Sequence, residues 1–315
     1  MTLLLKFQKL NVNHFLVLII FQSILHLNAQ TAVYPHLFVY DIGPKPSARQ
    51  YEYGNFTMNT DKITKTNIVI DQELWINTVS ENIERLKPNK SGIIIYIHGF
   101  QGDNKYFVQS SGYTLQKDVF DNEAHPYGMT ISLQWKSGLT YNDAVQTALQ
   151  KGANMAAIVN TIYQIQQKKY PRAPISVICH SMGNRVWQGL YSEWINLNKA
   201  LKIDRVLYFA PDLECDIFDT AFPELQNHVG HSYVFYSRVD RTLQMANALK
   251  VYRRLGIYST APQTDLLSKH ITLIDATDIK DEETFAGKLS LHRYYYGSPT
   301  MRKEIVRLLN GSMVE

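Results

Sequence analysis

The sequence predicts an α/β fold with a mostly parallel central sheet and helices on both faces of that sheet. The first observation is a continuous apolar run, GIIIYIHGF, at residues 92–100, which is typical of a strand buried on both faces. The second is the alternation of strand-like and helix-like segments from this run to the end of the chain. Because ligands bind at the carboxyl ends of parallel strands, the residues that follow each strand are the candidates for a functional site.

The elements follow one another in a regular order. Early in the chain the pattern is mixed: HLFVYDI and TNIVIDQEL are typical of strands, and INTVSENIERLK is typical of a helix. The later predicted strands are GIIIYIHGF, MTISLQW, ISVICHS, RVLYFAP, SYVFYS and HITLIDAT. The predicted helices are residues 142–169, MGNRVWQGLYSEWINLN, RTLQMANALKVYRRL and a last helix from Ser298-Pro299 to about Leu309.

The N-terminus has the pattern of a secretory signal peptide. Lys6 and Lys9 precede the apolar run FLVLIIFQSIL, and the small residue Ala29 follows it. The run is shorter than the about 20 residues that a membrane span needs, which favours a signal peptide. The alternative interpretation is an uncleaved N-terminal anchor. We expect residues 1–29 to be a signal peptide and the protein to be exported, either periplasmic or secreted, with no stable membrane span after cleavage.

The rest of the chain predicts one domain, residues 30–315. Within it, residues 30–90 hold the N-terminal strands and helix, and residues 91–315 form the catalytic core. The formal charge of the whole chain is only +4, and two of its lysines belong to the predicted signal peptide. This charge, without any Lys/Arg stripe, gives no support for a polyanionic partner, and we predict no nucleic-acid partner.

Two cysteines, Cys179 and Cys215, are too few for a disulfide framework. Both lie by apolar strands, so we predict buried free thiols, with a bridge between them as the alternative. No group of cysteines and histidines has the spacing of a zinc site, and we predict no metal.

The segment PISVICHSMGNRVW carries the strongest candidate for a nucleophile. A serine at a sharp turn between a strand and a helix usually lies in the pentapeptide Gly-x-Ser-x-Gly. Here Ser181 and Gly183 keep their places, while Cys179 stands where the first glycine would be. Cysteine is also small, and a thiol inside a buried strand is inert. The pattern therefore predicts that Ser181, and not Cys179, is the nucleophile.

A nucleophilic serine needs a base and an oriented carboxylate. Asp240 and His292 follow later strands in the order serine, acid, histidine, so we predict Ser181, Asp240 and His292 as the catalytic residues. The competing acids are Asp212, Asp216 and Asp219. The competing histidines beside the site are His180, which we expect to line or pack against it, and His98, which we expect to brace the turn after its strand. Four further histidines precede strands and so belong to the opposite edge of the sheet: His125, His228, His231 and His270.

Two backbone N–H groups would stabilise the negative oxygen of an acyl-transfer intermediate. One is the N–H of Met182, directly after the serine. The other comes from the turn after GIIIYIHGF, where we predict Phe100, with Gln101 as the second choice.

These motifs resemble the alpha/beta-hydrolase superfamily, and within it a bacterial family of alpha/beta hydrolases of unknown function. The matching stretches are IIIYIHGF, LQWKSGLTYNDAVQTALQKGANMAAIV, ISVICHSMGNRVW, RVLYFAPDLECDIF, YVFYSRVDRTLQMA and LHRYYYGSP. The chain departs from the family pattern at Lys136, where Trp-Pro-Ser would have proline, and at Asp143, one place early for Tyr-x-x-Asp. The resemblance implies an alpha/beta-hydrolase fold with Ser181, Asp240 and His292 as triad, and hydrolysis of an ester or related acyl compound without a cofactor.

The predicted function is that of a secreted serine hydrolase, a carboxylesterase or lipase-like enzyme acting on a small-molecule acyl ester. The alternatives are an acyltransferase or amidase that uses the same triad, and a non-catalytic binding protein of the same fold. We expect a small cap over the site from the segment after RVLYFAP, with Phe218 and Phe222 facing the substrate. Neither the substrate-binding residues nor the oligomeric state is predicted.

Overall fold

The protein is built on a nine-stranded sheet. The computed structural model describes residues 34–43, 51–58, 62–102, 111–222, 224–249, 252–259, 261–262 and 268–311, so the predicted signal peptide lies outside the described residues. Every element below belongs to one compact unit, residues 35–315. The strands are β1 (His36–Asp41), β2 (Tyr51–Met58), β3 (Ile63–Val69), β4 (Gly92–Ile97), β5 (Tyr127–Trp135), β6 (Ile175–His180), β7 (Ile203–Phe209), β8 (Val229–Tyr236) and β9 (Ile271–Asp275).

The strand order across the sheet is β3-β2-β1-β5-β4-β6-β7-β8-β9. Strands β1 and β4 to β9 run parallel to one another. The antiparallel pairs are β1–β2 and β2–β3, so β2 runs against the direction of the other described strands. The central strands β4, β5 and β6 are buried along their whole length, which explains their unbroken apolar sequences.

Helices cover both faces of the sheet. They are α1 (Gln72–Arg85), α2 (Tyr141–Lys169), α3 (Gly183–Leu197), α4 (Ile217–Thr220), α5 (Leu225–His228), α6 (Arg241–Leu249), α7 (Leu255–Tyr258), α8 (Phe285–Ser290), α9 (Tyr294–Gly297) and α10 (Pro299–Leu309). On one face, Ile95 of β4 belongs to the same core cluster as buried residues of α1, α2 and α3. On the other face, Tyr96 bonds to Tyr295 of α9 and its ring contacts Phe120.

Helices α2 and α3 pack unusually closely on the first face. A Cβ added to Gly152 of α2 would lie 1.8 Å from the carbonyl oxygen of Val186, and one added to Gly189 of α3 would lie 1.9 Å from that of Leu149. Only glycine permits this contact of two helix backbones. The contact fixes α3, whose N-terminus follows Ser181, against the longest helix of the domain.

The fold predicted from the sequence is confirmed, with three local differences. Strand β2 was not predicted, and strand β3 ends at Val69 so that the second half of TNIVIDQEL already lies in α1. The segment RTLQMANALKVYRRL is not one helix, because α6 ends at Leu249 and α7 begins at Leu255. The last helix, α10, begins and ends where the sequence predicts, with Ser298 capping it through the N–H of Met301. No helix in the described ranges combines the length and apolar character needed to cross a lipid bilayer.

Candidate active site

Ser181 lies at the turn between β6 and α3 in a strained backbone conformation. Its backbone φ is +54°, a left-handed value that residues with a Cβ rarely adopt. The surrounding backbone holds this turn: the Ser181 N–H donates to the carbonyl of Phe209 at 2.9 Å, and its own carbonyl accepts from the N–H of Asp212 at 3.2 Å. The predicted nucleophile therefore projects from a sharp turn at the carboxyl edge of the sheet.

Two glycines make room for this turn. A Cβ on Gly183 would lie 2.4 Å from the carbonyl oxygen of His98, and a Cβ on Gly99 would lie 2.9 Å from the Cβ of Ser181. The turns after β4 and β6 thus touch through their backbones, as the predicted pairing of these two turns requires.

Cys179 lies beneath the turn and is fully buried. Its thiol donates to Asn184 Oδ1 at 3.0 Å, and the Asn184 amide donates to the carbonyl of Ser181 at 2.8 Å. Burial raises the pKa of the Cys179 thiol well above its usual range, which keeps the sulfur protonated. Cys179 and Cys215 are both free, and Cys215 is half-buried rather than buried.

His292 and Asp240 form a buried pair. His292 Nδ1 lies 2.6 Å from Asp240 Oδ2, and because a carboxylate only accepts, the imidazole carries its proton on Nδ1 and leaves Nε2 able to accept one. The other oxygen of Asp240 accepts from the N–H of Leu243 at 2.9 Å, which caps the first turn of α6. Asp240 is therefore fixed by the helix that follows it.

His180 connects this pair to the serine turn. Its Nε2 donates to the carbonyl of His292 at 3.0 Å, and its ring lies between those of His292 and Tyr295, with centroids 4.6 Å and 4.4 Å away. Burial, and then the nearby His292, lower the pKa of His180 well below its usual range. A neutral His180 that holds the His292 backbone next to Ser181 agrees with the expectation of a packing role.

The turn after β4 is braced by His98, as predicted. The N–H of Trp135 donates to His98 Nε2 at 3.1 Å, so Nδ1 carries the proton and donates to the carbonyl of Gly99 at 2.7 Å. In the same turn Gln101 has a φ of +56° and donates its N–H to Ser137 Oγ at 3.0 Å. Gln101, the second choice for the oxyanion site, therefore already has an acceptor. In the described part of the chain, no backbone carbonyl accepts from the N–H of Phe100 or Met182.

Asp212, the main competing acid, is committed elsewhere. Its Oδ1 accepts from Arg254 Nε at 2.7 Å and from the Tyr252 hydroxyl at 3.0 Å, and its Oδ2 accepts from the Tyr141 hydroxyl at 2.6 Å. Asp212 and Arg254 are both almost completely buried. This cluster, which the sequence reasoning did not find, supports the turn at Ser181 because the Asp212 N–H bonds to the Ser181 carbonyl.

The expected cap is wrong. Phe218 and Phe222 are buried in the main core, where Phe218 packs on Tyr208 and Phe222 packs on Tyr191 of α3. They lie on the face of the sheet that α2 and α3 cover, because Tyr208 of β7 and Tyr191 of α3 form an aromatic pocket there. They do not face a substrate.

Glu282 supports the segment that carries His292, and the sequence reasoning did not single it out. Its Oε1 accepts from both the N–H and the hydroxyl of Thr284, at 3.0 and 2.8 Å. Its carboxylate lies between Gly287 and Gly297, where an added Cβ would come within 2.2 and 1.7 Å of it. These glycines lie on either side of His292, so Glu282 fixes both ends of that segment.

The sheet order, the strained serine turn and the buried histidine–aspartate pair together define the class of an alpha/beta hydrolase. The chain belongs to the family described as alpha/beta hydrolases of unknown function (DUF900), whose model matches residues 77–309. This confirms the resemblance that the sequence motifs indicate.

The other comparisons give only distant similarities. None of the curated proteins matches this chain. Among solved structures, it is similar to a proposed cell surface hydrolase from Lactobacillus plantarum WCFS1, with 12% identity over 70% of this chain and 90% of the other and a TM-score of 0.39. Aspergillus fumigatus lipase B shares 13% identity over 61% of this chain and 46% of the other, with a TM-score of 0.32. Phospholipase PlaB from Legionella pneumophila shares 11% identity over 70% and 62%, with a TM-score of 0.29.

Proposed function

We propose that this protein is a serine esterase that uses Ser181 as nucleophile, His292 as general base and Asp240 as the acid that orients the histidine. The observation that carries the proposal is the strained Ser181 turn together with the bond of 2.6 Å between His292 Nδ1 and Asp240 Oδ2. A serine in this backbone conformation is energetically costly, and such strain is typical of a catalytic residue.

In the proposed mechanism, His292 Nε2 takes the proton of the Ser181 hydroxyl while the oxygen attacks the ester carbonyl. The imidazolium that forms is stabilised by Asp240, which is fully buried and cannot be screened by water. His292 then donates this proton to the departing alcohol, and a water molecule, deprotonated by the same nitrogen, releases the acid from Ser181.

The proposed oxyanion donors are the N–H groups of Met182 and Phe100. The turns that hold them are rigid: His98 fixes one through Trp135 and Gly99, and α3 begins at Gly183 directly after Met182. Donors that are fixed before the reaction stabilise the developing charge without reorganisation, and each contributes about 3 kcal/mol.

The test is hydrolysis of a short, soluble p-nitrophenyl ester by the purified protein and by its Ser181→Ala variant. We expect activity only in the parent protein, and labelling of Ser181 by a fluorophosphonate that the variant does not show. Equal rates in the two proteins, or no labelling of the folded parent, would exclude the proposed chemistry.

A further inference from the structure

An exposed apolar surface borders the His292–Asp240 pair. We define it as the apolar rim: Val239, Met245, Leu249, Phe285 and Leu289. Met245 and Phe285 are 74% and 78% exposed, and the three others are 39–62% exposed. A cluster of large apolar side chains with this exposure is unusual on a surface that faces only solvent.

The rim spans two neighbouring helices. Met245 and Leu249 are four residues apart on α6, and Phe285 and Leu289 are four apart on α8, so each pair lies on one side of its helix. Arg241, one turn before Met245 on the same side of α6, donates to the carbonyl of Leu289 at 3.1 Å. This bond links the start of α6 to the end of α8, so the two helices that carry the apolar side chains are in contact.

The position of the rim ties it to the proposed active site. Val239 directly precedes Asp240, and Asp240 caps the first turn of α6. Helix α8 ends at Ser290, two residues before His292. Anything that covers the rim therefore lies beside the acid–base pair of the proposed esterase.

The charged groups on the two rim helices are cations. Arg238, Arg241 and Lys288 are exposed beside it, and the sequences of α6 and α8, RTLQMANAL and FAGKLS, contain no acid. Arg238 lies 3.6 Å from Asp275, in an exposed and therefore weak ion pair. Of the neighbouring acids, Asp281 bonds to Ser298 and Thr300, and Glu283 bonds to Arg302.

We infer that the apolar rim and its cations dock the protein on an anionic phospholipid surface, where the proposed esterase would take its acyl esters from the lipid. Apolar side chains flanked by Arg and Lys fit the boundary between acyl chains and anionic headgroups. A second copy of this chain fits less well, because a two-fold contact would bring the same cations face to face. The lipid substrate in this inference rests on the proposed esterase function, whereas the binding to the lipid surface does not depend on it.

The experiment measures cosedimentation of the full chain, carrying Ser181→Ala, with vesicles of phosphatidylcholine and phosphatidylglycerol. All variants keep residues 1–33, so any contribution of the apolar N-terminal run is equal in each. Met245→Ser with Phe285→Ser should lower the partition coefficient at least about tenfold. Arg241→Gln and Lys288→Gln should lower it about fivefold for each charge removed, and added salt should weaken the parent in the same direction.

The matched control is Leu74→Ser, which removes a leucine of similar exposure from α1, outside the rim, and should bind as the parent does. Thermal melting of each variant checks that it is folded. Unchanged binding by the rim variant, or equal binding to phosphatidylcholine alone, would overturn the inference. So would a dimer in sedimentation velocity that the rim variant dissociates. Vesicle binding by the parent protein, with Ser181 intact and without hydrolysis of any ester, would instead contradict the proposed esterase.

Discussion

At the scale of single residues, the hydrogen bonds of the Cys179 thiol explain why a cysteine replaces the first glycine of the pentapeptide. The thiol orients Asn184, which in turn holds the Ser181 carbonyl. We predict that Cys179→Gly retains ester hydrolysis, because the sulfur takes no part in the reaction, and lowers the free energy of unfolding by about 2 kcal/mol. Urea unfolding and ester hydrolysis check both parts, and iodoacetamide should not inactivate the native parent. Complete loss of activity in a folded variant would make Cys179 a candidate nucleophile again.

Gly183 is the residue of the pentapeptide that the structure makes hardest to replace. A Cβ there would meet the carbonyl oxygens of His98 and Ile97, which are backbone atoms of the β4 end and cannot rotate away. We predict that Gly183→Ala destabilises the protein by roughly 2–3 kcal/mol and lowers ester hydrolysis by at least about tenfold. The control is Gly112→Ala, whose Cβ would meet only the flexible end of Ile63. Similar melting temperatures and rates for the two variants would show that the serine turn tolerates a Cβ.

At the scale of elements, residues 281–298 behave as a clamped segment that presents His292. Besides the Glu282 contacts, the N–H of Glu283 donates to the carbonyl of Gly297 at 2.8 Å, which closes the base of the segment. Burial raises the pKa of Glu282, and its Oε2 has no hydrogen-bond partner among the described atoms. The bonds to Thr284 use Oε1 alone, so an amide in place of the acid can preserve them.

We predict that Glu282→Ala lowers kcat by about tenfold with little change in KM, because His292 loses its fixed position while the substrate pocket does not change. Glu282→Gln should restore most of kcat, since it keeps the acceptor for Thr284. Glu283→Ala is the matched control. It removes an exposed carboxylate from the buried Arg302, which keeps its ion pair with Asp118, and it should have little effect. Steady-state kinetics separate the two parameters. A Gln variant as slow as the Ala variant would argue against this positioning role.

The order of the elements was predictable, while several of their boundaries and contacts were not. Continuous apolar runs identify β4 and β6 because both faces of these strands are covered, and Pro299 marks the start of α10. Strand β2, YEYGNFTM, has a half-buried start, an exposed end, a glycine and few aliphatic residues, so its sequence gives no comparable signal. The direction in which Phe218 and Phe222 point depends on Tyr191 and Tyr208, which only tertiary packing brings to them. Glu282 was missed for the same reason, because its role depends on two glycines that the sequence places up to fifteen residues away.

At the scale of the whole molecule, buried neutral histidines connect folding to pH. His36 donates from Nδ1 to Gln116 Oε1 at 2.8 Å and accepts from Ser132 Oγ at 2.7 Å, and burial lowers its pKa to about 3. Burial also lowers the pKa values of His125, His180 and His231. Each histidine binds a proton more readily in the unfolded chain, so the stability that they contribute is complete above about pH 6.5 and is lost as the pH falls below it.

For His36 alone, a folded pKa of about 3 against about 6.5 in the unfolded chain costs about 2 kcal/mol of stability at pH 5. We therefore predict that the free energy of unfolding in urea decreases between about pH 7 and 5, and that His36→Gln makes this decrease shallower by about 2 kcal/mol. Glutamine can donate and accept at the same site but does not titrate. The carboxyl groups of Asp121 and Glu282 have raised pKa values and stabilise the fold as the pH falls, but their contribution is the same in both proteins and cancels in the comparison. His36 lies in β1, away from Ser181. If the free energy of unfolding had the same pH dependence in the two proteins, the buried imidazole of His36 would not be the source of the acid sensitivity.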